Sequence, residues 1–253
     1  MENLQKKDYL KGSEPISYVS KSDIGILISH GFTSTPDSFR YIANRLGEAG
    51  FNVEVPRLSG HSSRWQDLNN TKYEDWINDL KSALAALRKR ADKIFVMGLS
   101  MGGTLALRLA QLNPDIIGVI VINHAIFLGN PAVFLVPLLR FIIKSTPAIA
   151  GDIKDPSAKE LAYDRSPTEG VYQMTRLIKK VKKDFGLIKM PSLIFKSRDD
   201  HILPVKNATY TYSKIPSNDK ELIWLDNSYH VATMDFDKDL IIEKTIYFIN
   251  RHS

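Results

Sequence analysis

One short segment combines a serine with the small neighbours that a nucleophile needs. Gly98-Leu-Ser-Met-Gly102 follows an apolar run and precedes a stretch of helical periodicity. A strand, a G-x-S-x-G turn and a helix form a nucleophile elbow, in which a sharp turn lifts the serine hydroxyl clear of the sheet. Strand and helix approach closely there, and Gly98, Gly102 and Gly103 leave room for this. The pattern predicts Ser100 as a nucleophile, the alternative being an ordinary strand-to-helix turn.

A serine hydroxyl needs a base that removes its proton and an acid that holds the base in one tautomer. With this elbow the chain order is serine, acid, histidine. His230 follows the last predicted strand, and Asp199 and Asp200 follow the strand before it. Consecutive side chains leave an extended segment on opposite sides, so only one carboxylate can face the histidine. We favour Asp200, which begins a turn leading to a helix, and keep Asp199 as the alternative.

Acyl transfer builds a negative oxygen that needs fixed hydrogen-bond donors. The backbone N–H of Met101, directly after the serine, is one candidate. The second is the N–H of Phe32, because His30-Gly31 gives its loop the tight backbone needed to approach the serine. These two amides are the predicted oxyanion hole.

Two residues at the end of another predicted strand are candidates for substrate binding. His124 is expected to line the floor of the pocket, with Asn123 beside it. The alternative for His124 is a packed or hydrogen-bonded histidine without contact to substrate.

Strands and helices alternate along most of the chain. Apolar strands are predicted at 24–29, 51–55, 94–97, 116–122, 192–195 and 221–225. This alternation predicts an α/β fold with a mostly parallel sheet and helices on both faces. In such sheets the chemistry lies at the carboxyl ends of the strands.

One block interrupts the alternation. Residues 124–189 contain no convincing sheet strand, and we expect them to form a cap inserted between the core segments 1–123 and 190–253. The cap carries an unusually apolar stretch at 131–143, which is expected to pack onto the core body; an interfacial anchor is the alternative. A cap that is apolar inside would also make a pocket for an acyl chain.

The composition of the 253 residues is that of an ordinary globular protein. No cysteine is present, which excludes disulfides and cysteine nucleophiles and fits a reducing cytoplasm. The net charge is +6, but no basic motif interleaved with aromatic residues accompanies it, so no nucleic acid partner is expected. No signal peptide or transmembrane span is recognised, and a cytoplasmic location is expected.

Five segments that span nearly the whole chain carry a family resemblance. They are His30-Gly-Phe-Thr-Ser-Thr-Pro36, Gly98-Leu-Ser-Met-Gly-Gly103, Glu160-Leu-Ala-Tyr163, Asp200-His-Ile-Leu-Pro204 and Asn227-Ser-Tyr-His-Val-Ala-Thr233. On these segments the chain resembles the α/β-hydrolase family, and most of all its bacterial carboxylesterase and monoacylglycerol lipase branch. The last segment is far more specific than the elbow motif.

The resemblance implies an α/β-hydrolase fold that hydrolyses carboxylic esters without a cofactor or metal. It also implies a small cap with an apolar tunnel for one acyl chain, and it supports the serine, acid, histidine and amide roles assigned above. In monoacylglycerol lipases of this type a cap glutamate contacts the glycerol hydroxyls, and Glu160 matches that position. An exposed glutamate on the cap is the alternative.

We therefore expect a serine carboxylic ester hydrolase that works through an acyl-enzyme, with monoacylglycerols or other small esters with one acyl chain as substrates. A broad short- or medium-chain carboxylesterase or a thioesterase is the alternative, because the same triad serves any acyl transfer. A noncatalytic ligand receptor on the same fold is a more distant one. The chain is expected to be a monomer or homodimer, with a transient membrane-surface contact through the cap.

Overall fold

The computed structural model of the protein describes residues 8–148 and 151–253. Its strands are β1 (Ile16–Tyr18), β2 (Ile24–Ser29), β3 (Asn52–Val55), β4 (Lys93–Leu99), β5 (Gly118–Ile122), β6 (Ser145–Pro147), β7 (Arg165–Pro167), β8 (Ser192–Ser197) and β9 (Lys220–Leu225). Its α-helices are α1 (Arg40–Glu48), α2 (Trp65–Leu68), α3 (Tyr73–Leu87), α4 (Met101–Leu112), α5 (Val136–Leu139), α6 (Thr168–Lys183), α7 (Lys206–Lys214) and α8 (Lys238–His252). Short 3-10 helices lie at Pro36–Phe39, Pro131–Leu135, Phe185–Leu187 and Ala232–Met234.

Seven strands form one central sheet in the spatial order β1-β3-β2-β4-β5-β8-β9. β1 runs antiparallel to β3, and all other neighbours in this sheet are parallel. β6 and β7 form a separate antiparallel pair. The predicted mostly parallel α/β fold is confirmed. β1 is not among the predicted strands, since three residues are too few to show a strand period.

The central strands are apolar without alternation because both of their faces are covered. In β4, Ile94 and Val96 belong to one hydrophobic cluster, and Phe95 and Met97 belong to the other. Side chains of α3, α4 and α6 fill the first cluster, whereas those of α1 and α8 fill the second. The helices therefore form two layers, and the loops at the carboxyl ends of the strands are left to build a site.

Helix α6 joins the helix layer of the core, although it lies within the predicted cap. It buries Leu177, Ile178 and Val181 in the same cluster as α4. Gln111 of α4 fixes the contact, since its Nε2 donates to the carbonyl oxygen of Val181 at 2.9 Å. The predicted division of core and cap at 123 and 189 stays a prediction.

The apolar stretch at 131–143 does not pack onto the core body, so that expectation is wrong. Phe134 is 88% exposed, Leu138 73% and Ile142 82%. The stretch is broken into a 3-10 helix and the short α5, each with a proline in its first turn, and neither buries a residue. Among the helices of the described residues, none has the length and apolar character needed to cross a membrane.

The turn between β4 and α4 packs against neighbouring backbone. A Cβ atom on Gly98 would lie 2.2 Å from the carbonyl oxygen of Gly102, and one on Gly102 would lie 2.0 Å from that of Ser29. Both obstacles are main-chain atoms, so they cannot rotate away. Only glycine allows α4 to start this close to β2 and β4.

We therefore expect Gly102→Ala to lower the free energy of unfolding by about 1–3 kcal/mol or more, because overpacking displaces backbone. Gly186→Ala is the matched control, since a Cβ there would meet no atom within 4 Å, and it should change stability by less than about 0.5 kcal/mol. Urea unfolding of both variants measures the difference. Equal stability of the two would show that the close approach is not a constraint.

Candidate active site

Ser100 has the backbone conformation of an elbow. Its φ is 56° and its ψ is −121°, a strained region for any residue except glycine. The surroundings hold it there: its N–H donates to the oxygen of Ile122 at 3.0 Å, and its own oxygen accepts from the N–H of Ala125 at 3.2 Å. The backbone N–H and the backbone oxygen of Ser100 are thus hydrogen-bonded to the end of β5 and to the loop that follows it.

His230 and Asp200 form a hydrogen-bonded pair. His230 Nδ1 lies 3.0 Å from both carboxylate oxygens of Asp200. A carboxylate at neutral pH accepts hydrogen bonds, so Nδ1 carries the proton and Nε2 is left as the basic nitrogen. Asp199 is exposed. The geometry therefore selects Asp200 over Asp199 as the partner of the histidine.

The Asp200 carboxylate has no exposed surface and is surrounded by donors. Its Oδ1 accepts from the backbone N–H groups of Ile202 and Leu203, both at 2.9 Å. The Lys196 ammonium forms an ion pair with Oδ2. Burial alone would raise the pKa of Asp200, but His230 and Lys196 outweigh burial and hold that pKa well below its ordinary value. The acid is ionised at neutral pH.

Asn123 does not lie in the pocket, contrary to the prediction that it binds substrate. It is fully buried, with φ at 43°. Its Nδ2 donates to the carbonyl oxygen of His230 at 2.8 Å, and its Oδ1 accepts from the N–H of Ser197 at 2.8 Å. Asn123 therefore joins β5, β8 and the loop of the histidine, and it positions His230 instead of contacting substrate.

His124 also lies outside the pocket, so its predicted place on the pocket floor is wrong. The side chain is fully buried, and its Nε2 pairs with the hydroxyl of Thr211 in α7 at 2.6 Å. Burial lowers the pKa of His124 to about 3, so the ring is neutral. The packed, hydrogen-bonded alternative describes this residue.

One predicted oxyanion donor, Met101, follows the serine directly in the chain, and the other, Phe32, lies on a loop beside it in space. Met101 is the first residue of α4, and the first N–H groups of a helix have no partner within it. On the other side, a Cβ on Gly31 would lie 3.6 Å from the Cβ of Ser100, which brings the loop of Phe32 against the nucleophile. Their use as oxyanion donors stays a prediction.

A cavity of about 200 Å³ lies between the strand ends and residues 124–189. Ser100, His230 and Phe32 line it from the core. Residues 124–189 provide part of its apolar wall, namely Ala125, Leu128, Val133, Val171 and Met174, and the rest comes from Leu99, Ile202, Leu203 and Val231. No hydrogen bond joins the Ser100 hydroxyl to His230 among the described residues, and such a contact often tightens only when substrate binds.

Two acidic side chains of the cap line the same cavity. Glu160, predicted from the resemblance, is one of them, and its Oε2 accepts from the N–H of Gly151 at 3.0 Å. Asp152, which the sequence did not single out, is the other. Its carboxylate accepts from the backbone N–H of His230 at 3.1 Å and pairs with His201 Nδ1 at 2.7 Å. Asp152 thus connects the cap to the catalytic loop.

Within residues 8–148 and 151–253, no three histidine, aspartate or glutamate side chains are grouped so that they could hold a metal ion. Ser100 and His230 line the described pocket, and the buried carboxylate of Asp200 pairs with His230 behind it. These are the groups that acyl transfer requires.

Comparison with known proteins decides the family. Residues 20–237 match the family described as serine aminopeptidase, S33. The chain belongs to this hydrolase family. A thermostable monoacylglycerol lipase from Bacillus sp. (strain H-257) is 40% identical over 247 residues, which cover 96% of this chain and 97% of that protein. A carboxylesterase from Bacillus subtilis (strain 168) is 25% identical, over 90% of this chain and 93% of the relative.

Solved structures agree. A structure of a metagenome-derived lipolytic enzyme superposes with a TM-score of 0.94 at 38% identity and covers 97% of this chain and 100% of that one. The monoacylglycerol lipase of Paleococcus ferrophilus has a TM-score of 0.81 at 19% identity, covering 94% and 98%. The α/β-hydrolase fold and the resemblance to the carboxylesterase and monoacylglycerol lipase branch are confirmed.

The adjacent aspartates provide a matched test of the site. Asp200→Asn would leave the shape but lose the charge that fixes the histidine tautomer, so kcat for a p-nitrophenyl ester should fall by about a thousandfold or more. Asp199→Asn removes the same charge one residue earlier, from an exposed side chain, and should leave kcat within about twofold. A large loss in the Asp199 variant with little in the other would contradict the assignment.

Proposed function

We propose that this hydrolase cleaves carboxylic esters through an acyl-enzyme on Ser100, and that monoacylglycerols are its substrates. One observation carries the proposal: the hydrogen-bonded His230–Asp200 pair opens onto the same apolar pocket as the strained serine. The 40% identical relative that is a monoacylglycerol lipase supports the substrate class.

In the first half-reaction, His230 Nε2 takes the proton of the Ser100 hydroxyl as Oγ attacks the ester carbonyl carbon. The carbonyl oxygen becomes negative and accepts hydrogen bonds from the Phe32 and Met101 amides. The tetrahedral intermediate collapses, and the imidazolium protonates the leaving alcohol, which is glycerol. Asp200 remains ionised and stabilises the imidazolium throughout.

In the second half-reaction, the same nitrogen takes a proton from water as the water oxygen attacks the acyl-enzyme carbonyl. Collapse of this second intermediate returns the proton to Ser100 Oγ and releases the fatty acid. His230 passes on each proton within the half-reaction in which it accepts it, first to the leaving alcohol and then to Ser100 Oγ, so no cofactor is consumed.

The lining of the pocket supports a substrate with one acyl chain and a polar head. Leu128, Val133 and Met174 provide an apolar wall for the acyl chain. Glu160 lies on the same pocket and is a carboxylate that can accept hydrogen bonds from alcohol groups. We propose that it contacts the glycerol hydroxyls of a monoacylglycerol.

The exposed apolar face of the cap supports transient contact with a membrane surface, where monoacylglycerols reside. We define this cap face as Phe134, Leu138 and Ile142. A location in the cytoplasm and a monomeric or homodimeric state are parts of the same proposal, and the lack of cysteine fits that compartment.

Replacing the nucleophile tests the reaction. Ser100→Ala should lower kcat/KM for a monoacylglycerol by about a thousandfold or more, because no covalent intermediate can form. The wild-type protein should also prefer monoacylglycerol to p-nitrophenyl esters and acyl-CoA of equal chain length. Near-normal turnover by the variant would end the acyl-enzyme proposal, and a preference for acyl-CoA would replace the lipase by a thioesterase.

Replacing the cap face tests the membrane contact. Burying each of its side chains contributes about 1.5–3 kcal/mol, so changing all three to serine should lower turnover of vesicle-embedded monoacylglycerol by at least about tenfold. Turnover of a water-soluble short-chain ester should be unaffected. Tyr247→Ser, which changes an exposed aromatic residue of α8, is the control. Unchanged vesicle activity, or a change from dimer to monomer in sedimentation, would assign the cap face to another role.

A further inference from the structure

A lysine without exposed side-chain surface lies next to the triad carboxylate. Lys196 is on β8, four residues before Asp200, and pairs with its Oδ2. Its ammonium also donates to the carbonyl oxygen of Leu203 at 2.9 Å. A buried ammonium is costly unless it is paired and hydrogen-bonded, and both requirements are met here. The reaction described above makes no use of this charge.

The contacts of Lys196 and His230 compete for one carboxylate. Asp200 Oδ1 is held by two backbone N–H groups, and Oδ2 is held by Lys196, while His230 Nδ1 reaches both oxygens. A cation at Oδ2 fixes the orientation of the carboxylate. It also offsets part of the negative charge that the imidazole senses.

Resting on the proposed ester hydrolysis, we propose that Lys196 is a positioning residue that anchors Asp200 and shifts the working range of the enzyme toward lower pH. The imidazolium formed by solvent protons cannot act as a base. The Lys196 cation shares the Asp200 carboxylate with the ring, and like charges repel, so protonation of the ring is less favourable with the lysine than without it. Without the lysine, the acid limb of the pH–activity profile should lie at higher pH.

Other charged and titratable groups near this pair come from several elements. Asp152 of the cap is a second carboxylate whose charge acts on Lys196. His124, just after β5, is neutral, because burial and then the Lys196 charge lower its pKa. His201 and Asp199 flank Asp200 in the chain and are exposed. Burial lowers the pKa of Lys196, and the adjacent Asp200 carboxylate opposes that shift.

The test compares the acid limb of kcat/KM for a p-nitrophenyl ester in matched variants. Lys196→Met removes the charge and keeps an apolar chain of similar length, and the midpoint of the limb should rise by about 0.5–1 pH unit. Lys220→Met is the control: this lysine on the adjacent strand β9 also donates to a backbone oxygen, that of Ile215 at 2.7 Å. Its limb should coincide with that of wild type.

A second variant separates charge from packing. Lys196→Gln keeps a donor in the site but no charge, so its limb should rise as in the methionine variant, whereas Lys196→Arg should keep the wild-type limb. Limbs of the methionine and glutamine variants that coincide with wild type would overturn the inference. So would an arginine limb that moves as far as theirs.

The same profile is read without an ester substrate by the rate at which an alkyl fluorophosphonate labels Ser100. The labelling rate depends on the same base, so the acid limb of its pH profile should also lie at higher pH in Lys196→Met and Lys196→Gln. Failure of ester hydrolysis in the wild type would contradict the proposed function. An unmoved labelling limb in Lys196→Gln would contradict the role of the lysine.

Discussion

The site depends on a negative charge kept away from water. Because the Asp200 carboxylate has no exposed surface, it is stable only where donors converge. The turn after β8 supplies two backbone N–H groups, Lys196 supplies a cation, and His230 supplies Nδ1. The last of these contacts fixes the ring of the base, so the cost of burying the acid is offset by the same interactions that orient the histidine.

Much of this site could be predicted because, in this fold, the order of the residues along the chain determines which of them meet. Parallel strands bring their carboxyl ends to one edge, so a serine after β4, an acid after β8 and a histidine after β9 converge there. The glycines around Ser100 pointed to the close approach that the structure contains. The sequence favoured Asp200 over Asp199, and coordinates were needed to decide between them, since an error of one residue at a strand end reverses the direction of a side chain.

Other features could not be predicted from the sequence. His124 and Asn123 occupy a strand end like the catalytic residues, but their side chains turn into the protein and find buried partners. Asp152 and Lys196 follow no motif, and their importance arises only from which chain segments meet. The apolar stretch at 131–143 was expected to be buried against the core. Its hydrophobicity shows only that the stretch favours an environment without water, which a membrane or a second copy of the chain also provides.

We propose that the serine, the imidazole and the buried carboxylate act as one unit at the edge of the sheet. Mass-spectrometric mapping of the intact protein after reaction with an alkyl fluorophosphonate tests this most directly. We expect one adduct, on Ser100, and the rate of its formation should fall by about a thousandfold or more when His230 is replaced by alanine. An adduct on another residue, or equal labelling in the His230→Ala variant, would contradict it.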